Sequence, residues 1–340
     1  RAAFAAHAAT RGAPPLNPED VVVTSGCSHA LELALSALLE PGDVVLAPEP
    51  GFPLYRVIAD SIGAKVHYYG LRADRGWEAD VASLTMPARA RAIIVCDPSN
   101  PCGSVYTAEH KRELMAWAGR HGLVVVADEI YAGLAFDASP HTPCAAVSGD
   151  TPVITTGGIA KELAVPGWRL GWLTLHDPRG RLSLVRQGLR NLSQLLVGPN
   201  TLVQAALPAA LASLRDASPG TGGAPASPSP YLAGYRALLE RNARLVETRL
   251  EAVPGLRLPS RVRGGMYAML QVDGLAGVRD DAHLAARLRQ EEGVTLLPGS
   301  VFGAPGFVRL VLCCPEASME EALARIAAFA ARVGAQAEAE

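Results

Sequence analysis

Lys161 and Arg169 stand eight residues apart in the stretch 155–172, TTGGIAKELAVPGWRLGW. The run 152–156 reads as a strand and ends in two glycines. A lysine just beyond them meets little side-chain obstruction and can approach a buried ligand. The arginine brings a forked cation to the same pocket, and that fork suits a phosphate. A lysine amine beside a phosphate clamp is the pairing needed to hold pyridoxal phosphate as a Schiff base. The two residues are equally compatible with a solvated surface lysine and an arginine in an ion pair.

Further candidates fall at strand ends. The run GLVVVA at 122–127 is apolar throughout, as a parallel strand covered on both faces should be, and it ends in Asp128-Glu129-Ile130-Tyr131. A carboxylate there needs a cationic partner, because its desolvation is costly. A protonated pyridine nitrogen is such a partner; capping of the next helix is the plainer use. Strand 92–97 runs into Pro98-Ser99-Asn100-Pro101-Cys102-Gly103, an irregular loop at the sheet edge where open α/β folds bind ligands. Asn100 offers an amide at that edge, or closes an Asx turn before Pro101. Strand 21–24, the turn at Gly26, Cys27 and Ser28, and helix 29–39 aim free backbone N–H groups at the helix start. That geometry serves a phosphate, or simple capping by Ser28. Phe52 emerges from the loop 48–55 and could serve the site or the core; Tyr55 is a further candidate for contact with substrate or cofactor. Arg309 lies inside the apolar strand 307–312, where a guanidinium must meet an anion, either a ligand or an internal carboxylate.

Together these segments resemble a known family. K-x7-R with P-G-x-R-x-G, and with N-P-x-G, D-E-x-Y, TSGCS-x-A-L, P-G-F-x-x-Y and F-x-R, is similar to the fold-type I, class I/II pyridoxal phosphate-dependent aminotransferases. The wordings AK-x3-VPGWRLGW and SNPCG resemble the tyrosine-acting branch. The resemblance implies a Schiff-base and proton-shuttling role for Lys161, and a pyridine-nitrogen contact for Asp128. It implies hydrogen bonds from Asn100 and Tyr131 to the cofactor's phenolic oxygen, and ring stacking by Phe52. Phosphate binding falls to Gly26, Cys27, Ser28 and Arg169. Arg309, with Asn100 beside it, grips the substrate carboxylate. The implied reaction moves the amino group of an aromatic amino acid such as tyrosine to a 2-oxo acid such as 2-oxoglutarate, within a homodimer. Other donors (alanine, kynurenine, nicotianamine), a C–S lyase on the same fold, and an inactive truncated chain remain alternatives. Gly158 and Ala160 replace hydroxyl residues found around the lysine in many relatives, so the phosphate must lean on Arg169, Ser28 and backbone amides. Cys27 has no obvious base nearby to make it a nucleophile, and Glu129 reads as a structural ion-pair member.

The elements that must position these residues follow from the rest of the chain. Its 340 residues are 49% apolar and carry a net charge of −2. That is enough chain for two domains, and it gives no electrostatic case for nucleic acid or an anionic membrane. The most apolar region, 192–214, is broken by Pro199 and Pro208 and falls short of the roughly 18-residue run a membrane span needs. Six cysteines without C-x-x-C spacing suit reduced thiols in the cytoplasm, and eight histidines show no metal-binding spacing. The expected architecture is α/β: a mostly parallel central sheet flanked by helices in a large domain, 1–230, and a smaller α+β domain, 231–340. Strands are expected at 44–47, 65–71, 170–176, 266–272 and 294–297. Helices are expected at 107–121, 231–252, 281–292 and 318–333, the last with a Ser318–Glu321 capping box. The stretch 216–230, rich in Pro, Ser, Gly and Ala, reads as a solvated insertion. The chain opens at Arg1 inside a helical pattern, and the resemblance implies a missing N-terminal segment.

Overall fold

The structure, a computed structural model, describes residues 1–214, 228–251 and 253–339. Its larger sheet takes eight strands in the order β1-β8-β7-β6-β5-β2-β3-β4. In chain order these are β1 (Val21–Thr24), β2 (Val44–Glu49), β3 (Lys65–Arg72), β4 (Glu78–Ala79), β5 (Ala90–Cys96), β6 (Val124–Asp128), β7 (Val153–Gly158) and β8 (Gly171–His176). The centre, β3-β2-β5-β6-β7, is parallel, and β1, β4 and β8 run antiparallel to their neighbours. Side-chain alternation explains the apolar sequence of the central strands. Ala92, Ile94 and Cys96 of β5 and Val126 of β6 pack on one face; Ile93, Val95, Val125 and Ala127 pack on the other.

Helices cover both faces. α2 (Gly26–Leu38) and α3 (Leu54–Ile62) bury Ala30, Leu31, Leu35 and Ile58 on the first face. α4 (Ala108–Arg120) buries Leu114, Met115 and Ala118 on the second. Thr107 caps α4 as the sequence predicts, its side chain accepting from the His110 amide. α1 (Ala2–Ala9), α5 (Ser183–Leu192) and α6 (Thr201–Ala212) complete this half of the molecule.

α7 (Pro230–Leu250) leads to a four-stranded sheet in the order β11-β12-β10-β9. Its strands are β9 (Leu256–Arg257), β10 (Tyr267–Val272), β11 (Leu297–Pro298) and β12 (Phe307–Val311), all antiparallel. Ala268, Leu270, Val308 and Leu310 pack there against Leu239 and Val246 of α7, Leu284 of α8 (Asp281–Arg287) and Ile326 and Phe329 of α9 (Glu316–Ala339).

Several expectations are corrected. The expected strand 294–297 shrinks to β11, because Val294 and Leu296 point into the core while only Leu297 and Pro298 pair with β12. Helix 281–292 is α8 followed by a π turn at Leu288–Glu292 that ends on Gly293. α9 starts at Glu316, so Ser318 lies inside the helix and no Ser318–Glu321 capping box forms; Glu321 accepts instead from Arg325. The expected insertion lies outside the described residues over 216–227, and at its end Ser229 caps α7 over Pro230.

Candidate active site

The C-terminal ends of β5, β6 and β7 deliver Asn100, Asp128 and Lys161 to one cavity of about 250 Å³, which Phe52, Tyr131 and Arg309 also line. Parallel neighbours end on the same side, and that alone brings together residues far apart in the chain.

Asp97 braces the Asn100 loop. Its carboxylate accepts from the Tyr106 amide at 2.7 Å and pairs with Lys111 at 2.5 Å, both side chains fully buried. Gly103 closes the loop at φ +67, where a Cβ would fall 2.3 Å from the Tyr267 carbonyl. Only glycine lets this loop approach β10 so closely. Asn100 then accepts a hydrogen bond from Arg309 Nη1 at 2.8 Å.

Asp128 is buried and has no ion-pair partner among the described residues. Tyr55 donates to its Oδ2 at 2.8 Å, and the Cys27 thiol lies 3.5 Å from its Oδ1. Burial pushes the Asp128 carboxyl up, while the Tyr55 hydrogen bond and the charge of Lys161 act the other way. Burial and the nearby Asp128 push the Cys27 thiol well up, so it is a poor nucleophile. Asp128 Oδ1 also accepts from the Ile130 amide at 3.4 Å, while the next helical turn starts at Tyr131 without a side-chain cap.

At the other end, α2 begins at Gly26 without a side-chain cap. Ser28 is the third residue of the helix, exposed at the cavity, and does not cap it. Arg169 sits in the left-handed region at φ 48 and makes no carboxylate contact among the described residues. Its Nη1 donates to the Pro166 carbonyl at 2.8 Å and its Nη2 to the Ser25 carbonyl at 3.4 Å. A Cβ on Gly26 would fall 2.5 Å from Arg169 Nη2, and one on Gly171 would fall 2.4 Å from the Gly26 carbonyl carbon. The turn, the helix start and the guanidinium thus form a cradle open only because side chains are missing.

Lys161 is half-buried, 5.7 Å from the Tyr131 ring centroid, with no ion pair or hydrogen bond among the described residues. The next residue is fixed instead: Glu162 takes a two-pronged bond from Arg11 at 2.5 and 2.6 Å and one from the Gly133 amide at 3.0 Å. Arg309 lies between the rings of Tyr267, at 4.1 Å, and Phe302, at 4.5 Å. Burial lowers its pKa, and it has no carboxylate partner among the described residues.

All the sequence-derived candidates meet here. Cys27 and Ser28 line the cavity with the residues above, and Gly26 lies behind Arg169. Sequence reasoning missed Tyr267, Phe302, Lys111 and the Arg11–Glu162 pair. Lys111 had a signal: it shares the helical spacing of Leu114, Met115 and Ala118, which marks a buried face. Tyr267 had none, since its partners lie in other strands and loops.

The architecture is fold-type I, with a large mixed sheet, flanking helices and a smaller antiparallel sheet. The family model for class I and II aminotransferases matches residues 1–326, and the chain belongs to that family. It is an enzyme, a transferase. Human tyrosine aminotransferase is 38% identical over 320 residues, 93% of this chain and 67% of that one. The chain therefore spans about two thirds of that relative. The crystal structure of tyrosine aminotransferase from Leishmania infantum superposes with a TM-score of 0.89 at 30% identity, covering 97% of this chain and 80% of that one. Alanine aminotransferase from Pyrococcus furiosus gives the same TM-score at 28% identity, covering 97% and 81%.

Proposed function

We propose that the chain binds pyridoxal phosphate and transfers the amino group of an aromatic amino acid, tyrosine first, to a 2-oxo acid such as 2-oxoglutarate. The observation that carries this reading is a pair of charges on one cavity that have no ion-pair partner among the described residues, the buried Asp128 and the half-buried Arg309, beside a Lys161 that likewise has none. A buried charge without a partner is costly unless a ligand completes it. The cofactor's ring cation fits Asp128, its phosphate fits the Gly26–Arg169 cradle with the Cys27 and Ser28 amides, and a substrate carboxylate fits Arg309. The two aminotransferase relatives named for tyrosine support the choice of donor.

Pyridoxal phosphate, when bound, supplies an aldehyde that captures an amine and a ring that accepts electrons released at the substrate's α-carbon. Lys161 would hold the aldehyde, and its amine, when free, would move the proton at the α-carbon. Asp128 keeps the ring nitrogen protonated, with Tyr55 orienting the carboxylate. Asn100 and Tyr131 would hold the phenolic oxygen, Phe52 would cover the ring, and Arg309 would orient the substrate by its carboxylate. The part through β8 and the helices that follow serves as the large domain, and the part from α7 onward as the small one. The chain works as a homodimer in the cytoplasm. Support for the dimer is the set of exposed large apolar residues between 184 and 202: Leu184, Leu195, Val197 and Leu202. Six free cysteines support a reducing setting.

The test is the visible spectrum of the purified protein with pyridoxal phosphate added. A protein-bound band is expected, and tyrosine without an acceptor should convert it to that of the aminated cofactor. Lys161→Ala should lack the band; its retention would sink the assignment. A band that tyrosine leaves unchanged would redirect the donor.

A further inference from the structure

We propose that Tyr267 is a positioning residue, tying the carboxylate clamp Arg309 to the Tyr131 hydroxyl through one side chain. This rests on the functional reading above and adds a residue that the sequence did not point to. β10 and β12 pair with Met269 opposite Arg309 and Tyr267 opposite Val311. Tyr267 and Arg309 are therefore diagonal neighbours on the same face, within reach for a ring and a long cation. The Arg309 guanidinium stands 4.1 Å from the Tyr267 ring centroid. The same tyrosine reaches in the other direction to Tyr131, whose hydroxyl donates to the Tyr267 hydroxyl at 3.3 Å with the rings edge to face. Tyr131 belongs to the large sheet's loop and Tyr267 to the small sheet, so the contact bridges the two halves.

The chemistry explains why an aromatic ring, and not a carboxylate, holds Arg309. A carboxylate neighbour would satisfy the guanidinium but would also occupy the fork meant for substrate. A ring face attracts the cation through its quadrupole and leaves the N–H groups free. Arg309 Nε has no hydrogen-bond partner among the described residues, and Nη1 is aimed by Asn100. The hydroxyl does the second job. Burial and the neighbouring Tyr267 keep Tyr131 protonated. Hydroxyl protons rotate, so when Tyr131 turns its proton to a ligand oxygen, Tyr267 can donate to the oxygen of Tyr131. A donor behind a donor strengthens the outer bond.

Two variants separate the roles in the holoenzyme. The probe is 3-phenylpropionate, a carboxylate with no amine to react, titrated against the bound cofactor's absorbance. Tyr267→Phe keeps the ring: probe affinity should stay within about twofold, while the pH midpoint of the cofactor absorbance should rise by about half a unit. Tyr267→Leu loses both, and the probe should also bind about tenfold more weakly. If Tyr267→Leu fails to fold, the Tyr267→Phe midpoint decides. Arg309→Leu is the control for the functional reading. Loss of probe binding there, with wild-type affinity in Tyr267→Leu or an unmoved midpoint in Tyr267→Phe, overturns the Tyr267 proposal alone. Unchanged probe binding in Arg309→Leu removes the carboxylate clamp, and the proposal falls with it.

Discussion

Asp128 and Glu129 are consecutive carboxylates with opposite surroundings. Asp128 faces the cavity and Tyr55, whereas Glu129 faces away, accepting from the Cys144 amide at 2.7 Å near His141 and the Lys111–Asp97 pair. Burial pushes the Glu129 carboxyl up to about 7 from an ordinary 4.5. The folded protein therefore holds this proton more tightly than the unfolded chain does. Its contribution is fully present below about pH 4.5 and is lost as pH rises through 7. Glu129→Gln mimics the protonated form and can still accept from Cys144. It should stabilise the protein at pH 8 by on the order of 2 kcal/mol and change little at pH 4.5. Urea unfolding at the two pH values checks this. The burial of Asp128 at the cavity was legible because an apolar strand ends on it. The setting of Glu129 was only partly so: an ion-pair role could be read, but its neighbours, Lys111 and His141, come from a helix and a loop that nothing local links to it.

At the scale of elements, the phosphate cradle depends on backbone packed against backbone. Gly26 has φ +77, and its missing Cβ makes room for the Arg169 guanidinium. Gly26→Ala would add left-handed strain of about 1–2 kcal/mol and displace that guanidinium. We expect cofactor affinity to fall at least about tenfold, read by equilibrium dialysis, with the helical circular dichroism of α2 and its neighbours retained. Strand–turn–helix order made this cradle readable from the sequence, as it did the Asn100 loop. The boundaries in the small sheet were harder to read. Val294 and Leu296 look like a strand because they are apolar and β-branched or bulky, yet they serve the core without pairing. Ser318 and Glu321 have capping-box spacing, but α9 had already begun at Glu316.

For the molecule as a whole, the exposed apolar side chains between 184 and 202 are a feature that its own fold does not use. Val197 is 91% exposed, Leu184 81%, Leu202 80% and Leu195 78%. Large apolar side chains so exposed on an isolated chain invite a second copy. Leu195→Glu combined with Leu202→Glu should halve the mass seen by sedimentation velocity and leave the fold of each chain intact. A dimer that survives the double change would locate the interface elsewhere. The sequence could supply the list of site residues, since each sits in a local motif. It could not supply the contacts between the two halves, which depend on register in a sheet whose strands are far apart in the chain.

The hydrogen bond from Arg309 to Asn100 spans 209 residues. During synthesis on the ribosome, Asn100, Asp128, Lys161 and Arg169 all emerge well before Arg309 is made. The large-sheet wall of the cavity can therefore be made while Arg309, the hydrogen-bond partner of Asn100, is still untranslated.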